Sequence, residues 1–361
     1  MASIHISPNK ATNKPRRILL VSTPRTASNL LLKVLNIPNQ PNTYTNEKGG
    51  YFFYPAFISA ANDGYMERPI AQRTEQEKQK LKAVYQSCVD NLERAAVQAE
   101  VSNKMIFIKE HAFWIFGPAA FQKRLTGVRD EQFLNDFRVD TPEKYGSTRT
   151  YTPSNETIFS DEYLRSWQMG FVIRHPALSL PSFWRALAKF AKQGIIDEDA
   201  VKWTTVTSMG MCWARSLYDW CLEQPGLSRQ PPVVDACDLI NHPRVVVRFA
   251  EEIGLDPEVL QFEWEPQDHE KTNGFWASDL AKASAGDDVE GSHIRAANVM
   301  LATLSSSSGM IKNRTPAEVD IAVEVEKWKV EFGVQVAEFI EQAVLESMPD
   351  YQYLKARRIT V

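Results

Sequence analysis

A short polar stretch near the start of the chain carries residue types that hold an anion. Residues 23–29 (TPRTASN) follow the apolar run 18–21 (ILLV) and lead into an apolar helix predicted to begin near Ala27. The first N–H groups of a helix have no partner within it, and the helix dipole favours negative charge at that end. Arg25 adds a permanent cation, and the hydroxyl and amide side chains of the stretch add neutral donors. The pattern predicts a cradle for a phosphate or a similar anion.

This stretch differs from the phosphate loop of nucleoside triphosphatases. The pattern G-x-x-x-x-G-K-[ST] is absent, and no glycine lies between Val21 and Leu31. The predicted ligand is therefore not simply ATP with magnesium. An ordinary turn between a strand and a capped helix is the alternative that this segment leaves open.

Two later stretches place reactive side chains at the ends of predicted strands. The run KMIFIK ends in Lys109, two residues before His111, and the run GFVIR ends in Arg174 and leads through a proline-containing turn to Ser182. Histidine exchanges protons near neutral pH, and an arginine can bind a phosphate through two parallel hydrogen bonds. A packed structural histidine, and an arginine that caps the edge of its own sheet, are the alternatives.

These side chains depend on elements that bring the strand ends together. Strands are predicted at residues 18–21, 104–109, 170–174 and 232–236, and long helices at 75–101, 203–223 and about 316–348. Strands that alternate with helices indicate a parallel, doubly wound sheet, and ligands of such sheets bind outside the carboxyl ends of the strands. The predicted fold class is α/β, a three-layer sandwich with a central parallel sheet.

Length and composition favour one globular domain over residues 1–361. A hydrophobic content of 43% is enough for a substantial core. Residues 1–16 are polar and basic and are predicted to be a flexible lead-in. Residues 117–160 are polar and too long for a plain connection, so we expect an irregular insertion that serves as a substrate lid or a mobile loop.

Charge and cysteine content limit the classes of function. A net charge of −4 and a pI near 6.0 argue against a general affinity for nucleic acid, which demands clustered Lys and Arg. The four cysteines lack zinc-binding spacing and are few for a disulfide scaffold, so no metal is expected and a cytoplasmic location fits best. No segment predicts a membrane span or a secretory signal. The expected partner is a small molecule, and the oligomeric state stays open.

Residues 23–31, 108–113 and 172–182 together resemble three motifs of the sulfotransferase family that uses 3′-phosphoadenosine 5′-phosphosulfate (PAPS). The resemblance covers most of the chain and implies that family's P-loop-like fold, with PAPS as donor and 3′-phosphoadenosine 5′-phosphate (PAP) as product. It implies that His111 is the general base toward an acceptor hydroxyl and that Arg25, with Lys109, stabilises charge on the leaving phosphate. The residues it implies for donor binding are Thr23, Pro24, Arg25, Thr26, Ala27, Ser28 and Asn29, then Arg174 and Ser182, and in a late loop Ser308, Gly309 and Lys312.

Two positions of the first motif depart from the family pattern. Ala27 stands where the family usually has glycine, and Asn29 stands where it has serine or threonine. A residue with a Cβ is strained if the loop requires a positive φ at position 27. These positions are where a departure from ordinary sulfuryl transfer would arise.

An aromatic cluster is the predicted acceptor pocket, and it indicates an apolar or aromatic small molecule with a hydroxyl group. Its members are Tyr51, Phe52, Phe53, Tyr54, Phe57, Trp114 and Phe116. Ordinary core packing is the alternative for this cluster. For the whole protein, the alternatives are a sulfotransferase-like enzyme whose transient sulfation leads to elimination or cyclisation, and a non-catalytic nucleotide-binding protein. A small-molecule kinase is disfavoured because the Walker-type glycine and lysine are absent.

Overall fold

The computed structural model describes residues 16–45, 50–65, 68–225, 229–265, 299–301, 304, 306–311 and 315–361. Within these residues five strands form one sheet, all parallel, in the order β2-β3-β1-β4-β5. The strands are β1 Arg17–Ser22, β2 Thr43–Tyr44, β3 Met105–His111, β4 Gln168–Ile173 and β5 Val233–Asp235. The predicted α/β sandwich with a central parallel sheet is confirmed.

The helices that flank the sheet follow each strand in turn. They are α1 Ser28–Val34, α2 Tyr54–Asn62, α3 Glu75–Val101, α4 Pro118–Thr126, α5 Glu131–Asp136, α6 Asp161–Arg165, α7 Pro176–Lys192, α8 Ala200–Met209, α9 Cys212–Glu223, α10 Ala236–Asn241, α11 Pro243–Ile253, α12 Ile321–Phe332 and α13 Val334–Lys355. Among the described residues, none of these helices combines the length and the apolar character needed to cross a membrane.

The alternation of side chains along β1 explains why both faces of the sheet carry helices. Leu19 and Val21 point into one hydrophobic cluster with α2, α3 and α9, whereas Ile18 and Leu20 point into another with α1 and α11. Successive side chains of a strand face opposite sides, so a strand that is apolar at every position must be covered on both. A third cluster joins α7, α8, α12 and α13.

Local sequence signals predicted one of three long helices correctly and failed for the other two. The predicted helix 75–101 is confirmed as α3, which begins with a reciprocal pair of hydrogen bonds between Thr74 and Glu77. The predicted single helix 203–223 was wrong, because the chain breaks at Gly210 between α8 and α9. The predicted helix 316–348 was also wrong, because Gly333 takes φ +85° between α12 and α13.

The segment 117–160 is more ordered than its composition indicates. It contains the helices α4 and α5, so the prediction of an irregular insertion was wrong for those two stretches, whereas residues 137–160 are largely irregular. Phe137, Val139 and Ile158 of this segment are buried in the cluster that also holds α3. Its predicted role as a cover over the acceptor stays a prediction. Residues 1–15 of the predicted lead-in lie outside the described residues.

Candidate active site

The carboxyl ends of three neighbouring strands meet at one edge of the sheet. β1 lies between β3 and β4, and its last residue, Ser22, is paired in register with His111 at the end of β3. Arg174 directly follows β4. The three motifs that are far apart in the sequence therefore supply side chains to one region, which we call the strand-end site.

The loop after β1 has a backbone that few residues with a Cβ adopt. Arg25 and Ala27 both have φ +64°, and Ala27 is the residue before the first turn of α1. Thr26 is fully buried, and its hydroxyl donates to the carbonyl of Thr23 at 2.7 Å. The left-handed conformation costs a residue with a Cβ about 1–2 kcal/mol. The position where the family usually has glycine therefore has the geometry that glycine favours.

Two arginines and a serine meet beside this loop. The Arg25 Nε donates to Ser182 Oγ at 3.0 Å, and its Nη1 donates to the carbonyl of Met300 at 2.7 Å. Arg174 Nη1 donates to the carbonyl of Arg25 at 3.1 Å. Burial, and secondarily the charge of Arg25, lower the pKa of Arg174 to about 10. Because a guanidinium is not deprotonated in proteins, both groups stay charged at neutral pH.

Lys109 and Asn29 form the link between the loop and β3. The ammonium of Lys109 is buried, donates to Asn29 Oδ1 and lies 4.2 Å from the centre of the Tyr51 ring. Burial lowers the pKa of Lys109 to about 7, although the neighbouring carboxyl of Glu110 opposes this effect. The amide oxygen at position 29 thus holds a lysine, which is a physical role for one of the two departures from the family pattern.

His111 makes hydrogen bonds through both ring nitrogens. Its Nδ1 lies 2.9 Å from Ser22 Oγ, and its Nε2 lies 3.1 Å from the hydroxyl of Tyr51. The Trp114 ring packs edge-on against the imidazole, with ring centres 4.5 Å apart. Burial, and then the charge of Lys109, lower the pKa of His111 well below its ordinary value, so the imidazole is neutral at pH 7.

Gly50 and Glu110 fix the segment that carries Tyr51. Gly50 has φ +94°, and a Cβ on it would lie 2.5 Å from the backbone nitrogen of Lys109. The Glu110 carboxyl group, on the opposite face of β3, accepts hydrogen bonds from the backbone N–H groups of Phe52 and Phe53. Burial raises the pKa of Glu110 well above its usual range. Close backbone contact and these buried hydrogen bonds hold Tyr51 against His111.

The aromatic residues predicted to line the acceptor pocket divide into two groups. Tyr51, Tyr54, Phe57 and Trp114 pack against one another beside His111. Phe53 packs on Phe159 and Phe116 packs on Trp213, both within the core, while Phe52 is half-buried. The first group is therefore the part of the cluster that faces the site.

Sequence reasoning missed Ser22 as a site residue and treated Tyr51 only as an aromatic wall. Ser22 is fully buried and contacts the imidazole directly. The available signal was its position as the last residue of the apolar run, where a side chain of a parallel strand lies beside the end of the next strand. The hydroxyl of Tyr51 gave no signal, because its contact depends on a loop that returns to β3.

The described part of the predicted late loop contacts residues 263 and 264. Ser308 accepts a backbone hydrogen bond from Trp264, and Gly309 pairs with Glu263 in an isolated bridge. Trp264 packs near Lys33 in the last turn of α1, away from the first turn. A role in donor binding for Ser308 and Gly309 stays a prediction, and Lys312 lies outside the described residues.

A cavity of about 510 Å³ lies one strand further along, at the end of β5. It is lined by residues that include Asp235, Cys237, Asn241, Lys355 and Arg358. Asp235 is paired in register with Ile173, the residue before Arg174. The cavity therefore lies on the β5 side of Arg174, away from His111.

Fold and site together define an α/β protein with a pair of half-buried arginines and a buried neutral histidine beside the carboxyl ends of neighbouring strands. Comparison with models of known families finds no match. The chain is 32% identical to Sulfotransferase ppzF of Metarhizium majus over 371 aligned positions, which cover 96% of this chain and 98% of that protein. It is also 32% identical to Sulfotransferase ppzF of Metarhizium rileyi, over 96% of this chain and 97% of that one.

The protein belongs to the sulfotransferase family, as these two fungal relatives show over almost their whole length. Among solved structures, the sulfotransferase domain of the Synechococcus PCC 7002 olefin synthase covers 90% of this chain and 94% of its own. Its identity of 13% and TM-score of 0.34 add nothing to the assignment. The family suggested by the three sequence motifs is confirmed.

Proposed function

We propose that this sulfotransferase moves a sulfuryl group from PAPS to a hydroxyl of a small apolar or aromatic acceptor. One observation carries the proposal. Two guanidinium groups that stay charged, one in the loop after β1 and one at the end of β4, lie on the same edge of the sheet as a buried neutral histidine at the end of β3. A donor with two phosphates and a transferable group needs both fixed positive charge and a proton acceptor.

The donor would be held by the loop after β1 and by the arginine pair. Residues 23–29 bind the 5′-phosphate and the sulfuryl group, and Arg174 with Ser182 binds the 3′-phosphate. The hydrogen bonds that join Arg25 to Ser182 and Arg174 to Arg25 support this division, because they place the two halves in contact. The cavity at the end of β5 is lined by acidic, basic and neutral polar side chains. We assign the nucleoside to it because these side chains can donate and accept hydrogen bonds.

The transfer consists of one bond exchange at sulfur. The acceptor oxygen forms a bond to sulfur while the bond from sulfur to the 5′-phosphate oxygen breaks, and the electron pair leaves with PAP. Arg25 and Lys109 offset the charge that develops on that oxygen, and His111 receives the acceptor proton. The neutral state of the imidazole, which burial favours, supports its role as a base.

The acceptor would lie against Tyr54, Phe57 and Trp114. These rings pack together next to the imidazole and form an apolar wall rather than a charged groove. An aromatic or apolar molecule gains most from such a wall, whereas a sulfated or phosphorylated polymer would need a basic stripe. A small hydroxylated acceptor is therefore favoured.

Titration calorimetry and a transfer assay test the proposal together. The protein should bind PAP, bind AMP more weakly because it lacks the 3′-phosphate, and show no magnesium-dependent preference for ATP. With labelled PAPS and a series of phenols, mass spectrometry should find a sulfated product. Binding of ATP with magnesium but not of PAP would contradict the proposal. A desulfated, eliminated or cyclised product would favour the redirected chemistry, and PAP binding without turnover of any acceptor would favour the non-catalytic protein.

A further inference from the structure

The contacts of the Ser22 hydroxyl suggest an assignment for the hydrogen bonds around His111. The Ser22 hydroxyl donates to the carbonyl of Glu110 at 3.2 Å, and its oxygen lies 2.9 Å from His111 Nδ1. Assigning the single hydroxyl proton to the Glu110 carbonyl makes the Ser22 oxygen the acceptor of the hydrogen bond from Nδ1. Nδ1 therefore carries the proton of the neutral imidazole, and Nε2 presents its lone pair.

That lone pair is directed at Tyr51. The Tyr51 hydroxyl lies 3.1 Å from Nε2 and, in this tautomer, it donates. The same phenol oxygen interacts with the side chain of Ser28 at the start of α1, in the predicted donor loop. The ammonium of Lys109 lies over the Tyr51 ring. The Tyr51 hydroxyl is therefore between the base and the loop that would hold the sulfuryl donor.

Several buried polar groups hold Tyr51 in this position beside His111. Gly50 brings the backbone into contact with β3, and the Glu110 carboxyl group holds the two N–H groups that follow Tyr51. A buried carboxyl group and a buried lysine cost free energy unless they are well paired. A tyrosine that served only as an apolar wall would not require its hydroxyl to be fixed in this way.

We infer that Tyr51 is a catalytic residue that relays the acceptor proton to His111. The inference rests on the proposed function and specifies how its base works. As the acceptor oxygen bonds to sulfur, its proton passes to the Tyr51 oxygen, and the Tyr51 proton passes to His111 Nε2. The bond from sulfur to the 5′-phosphate oxygen breaks, and PAP leaves with that electron pair. The imidazolium then returns its proton through Tyr51 to water when the products leave.

The charge of nearby groups is compatible with this route. Lys109 stabilises negative charge that develops on the phenol oxygen, because its ammonium lies 4.2 Å from the ring centre. The charge of Lys109 disfavours the protonated imidazole, and an anion bound in the adjacent loop offsets that effect. In the relay, the Tyr51 oxygen and His111 Nε2 each receive a proton, and each already has its hydrogen-bond partners in position.

Single-turnover kinetics test the relay directly. With labelled PAPS and 2-naphthol as probe, Tyr51→Phe should lower the transfer rate by about 10²-fold, within the range of positioned acid–base catalysis. PAP affinity should change far less, because Tyr51 contacts the donor loop through Ser28 and is assigned no phosphate contact. Tyr65→Phe is the matched control, because it also removes a buried tyrosine hydroxyl, one whose ring packs on Phe137 and Arg73 instead. An unchanged rate in Tyr51→Phe would overturn the relay.

Two further measurements separate a relay from a merely structural hydroxyl. In mixtures of light and heavy water, the wild-type rate should depend on deuterium fraction along a curve, since two protons move, whereas residual transfer in Tyr51→Phe should be linear. ¹⁵N NMR of labelled histidine, assigned by loss of the signal in His111→Gln, should show the Nδ1–H tautomer. An Nε2–H tautomer would overturn the relay even without an acceptor. Failure to bind PAP would instead contradict the proposed function.

Discussion

The ends of β3 and β4 lie on the same edge of the sheet, but burial has different effects on the charge of their side chains. At the end of β4, Arg174 keeps its charge despite burial, with a pKa of about 10. At the end of β3, burial lowers the pKa of Lys109 to about 7 and drives His111 to its neutral form. We call the first the phosphate side and the second the proton side.

The difference follows from the chemistry of the side chains. A guanidinium has an intrinsic pKa so high that burial cannot neutralise it, and its flat set of donors suits phosphate oxygens. Lysine and histidine lose their charge readily when buried, which makes them useful where a proton must move or a charge must appear only with the ligand. Two neighbouring strand ends thus divide binding and proton transfer between them.

The largest expected effect comes from the proton side. His111→Ala should reduce sulfuryl transfer by about 10²–10⁴-fold, because it removes the proton acceptor. Affinity for PAP should be nearly unchanged, since no phosphate contact is assigned to the imidazole. Single-turnover assays and calorimetry measure the two quantities. Lys80→Ala, which removes an exposed side chain paired with Asp63 on the surface, is the control. Weaker PAP binding in His111→Ala with an unchanged transfer rate would contradict the assignment of proton transfer, and not phosphate binding, to the end of β3.

The next effect should appear on the phosphate side. Arg174→Ala should weaken PAP binding by about 10- to 100-fold, which corresponds to the loss of a charge-assisted hydrogen bond. AMP has no 3′-phosphate, so its affinity should change far less. Calorimetry with both ligands on the wild type and the variant gives the comparison. An equal loss for PAP and AMP would mean that Arg174 supports the loop through its bond to Arg25 and does not bind the 3′-phosphate.

A smaller effect should appear in the pH dependence of the free energy of unfolding. Between about pH 7 and 10.5 the unfolded chain holds a proton on Lys109 that the folded protein has released, because the folded pKa is lowered. The free energy of unfolding should therefore rise with pH in that window, by at most about 1.4 kcal/mol per pH unit from this group.

Lys109→Met isolates that contribution from other titrating groups. Denaturant unfolding at pH 7, 8 and 9 should show a shallower rise for the variant than for the wild type. Lys80→Met is a suitable control, because Lys80 is exposed and paired with Asp63 on the surface. Parallel curves for the wild type and Lys109→Met would show that Lys109 keeps its proton when buried.

The smallest effect concerns the loop that both sides share. Ala27→Gly should stabilise the protein by up to about 1 kcal/mol, because it relieves the positive φ at the cost of a more flexible unfolded chain. Ala83→Gly, at an exposed position inside α3, should destabilise it by about the same amount. Thermal or denaturant unfolding measures both. A loss of stability in Ala27→Gly would mean that the methyl group contributes more through packing than the backbone loses.

Much of the fold was predictable because its signals are local. Four of the strands were predicted within two residues of their observed ends, since their apolar runs have both faces covered. α3 was predicted in full because periodicity and its first-turn hydrogen bonds agree. The two-residue strand β2, the helices within 117–160 and the breaks at Gly210 and Gly333 were not predicted. In each case packing against distant residues, or one backbone torsion, decided the outcome.

The features of the candidate site divide in the same way, into local ones and ones that depend on packing between distant segments. The sequence by itself determined that Arg25, His111 and Arg174 stand at or just beyond strand ends, because residue order places each within four residues of an apolar run. Only the tertiary structure decided which groups they meet. Strand register brought Ser22 to one side of the imidazole, and the return of the chain at Gly50 brought Tyr51 to the other. Position along a strand is a local property, whereas a hydrogen-bond partner and a shifted pKa depend on chain segments that approach only on folding.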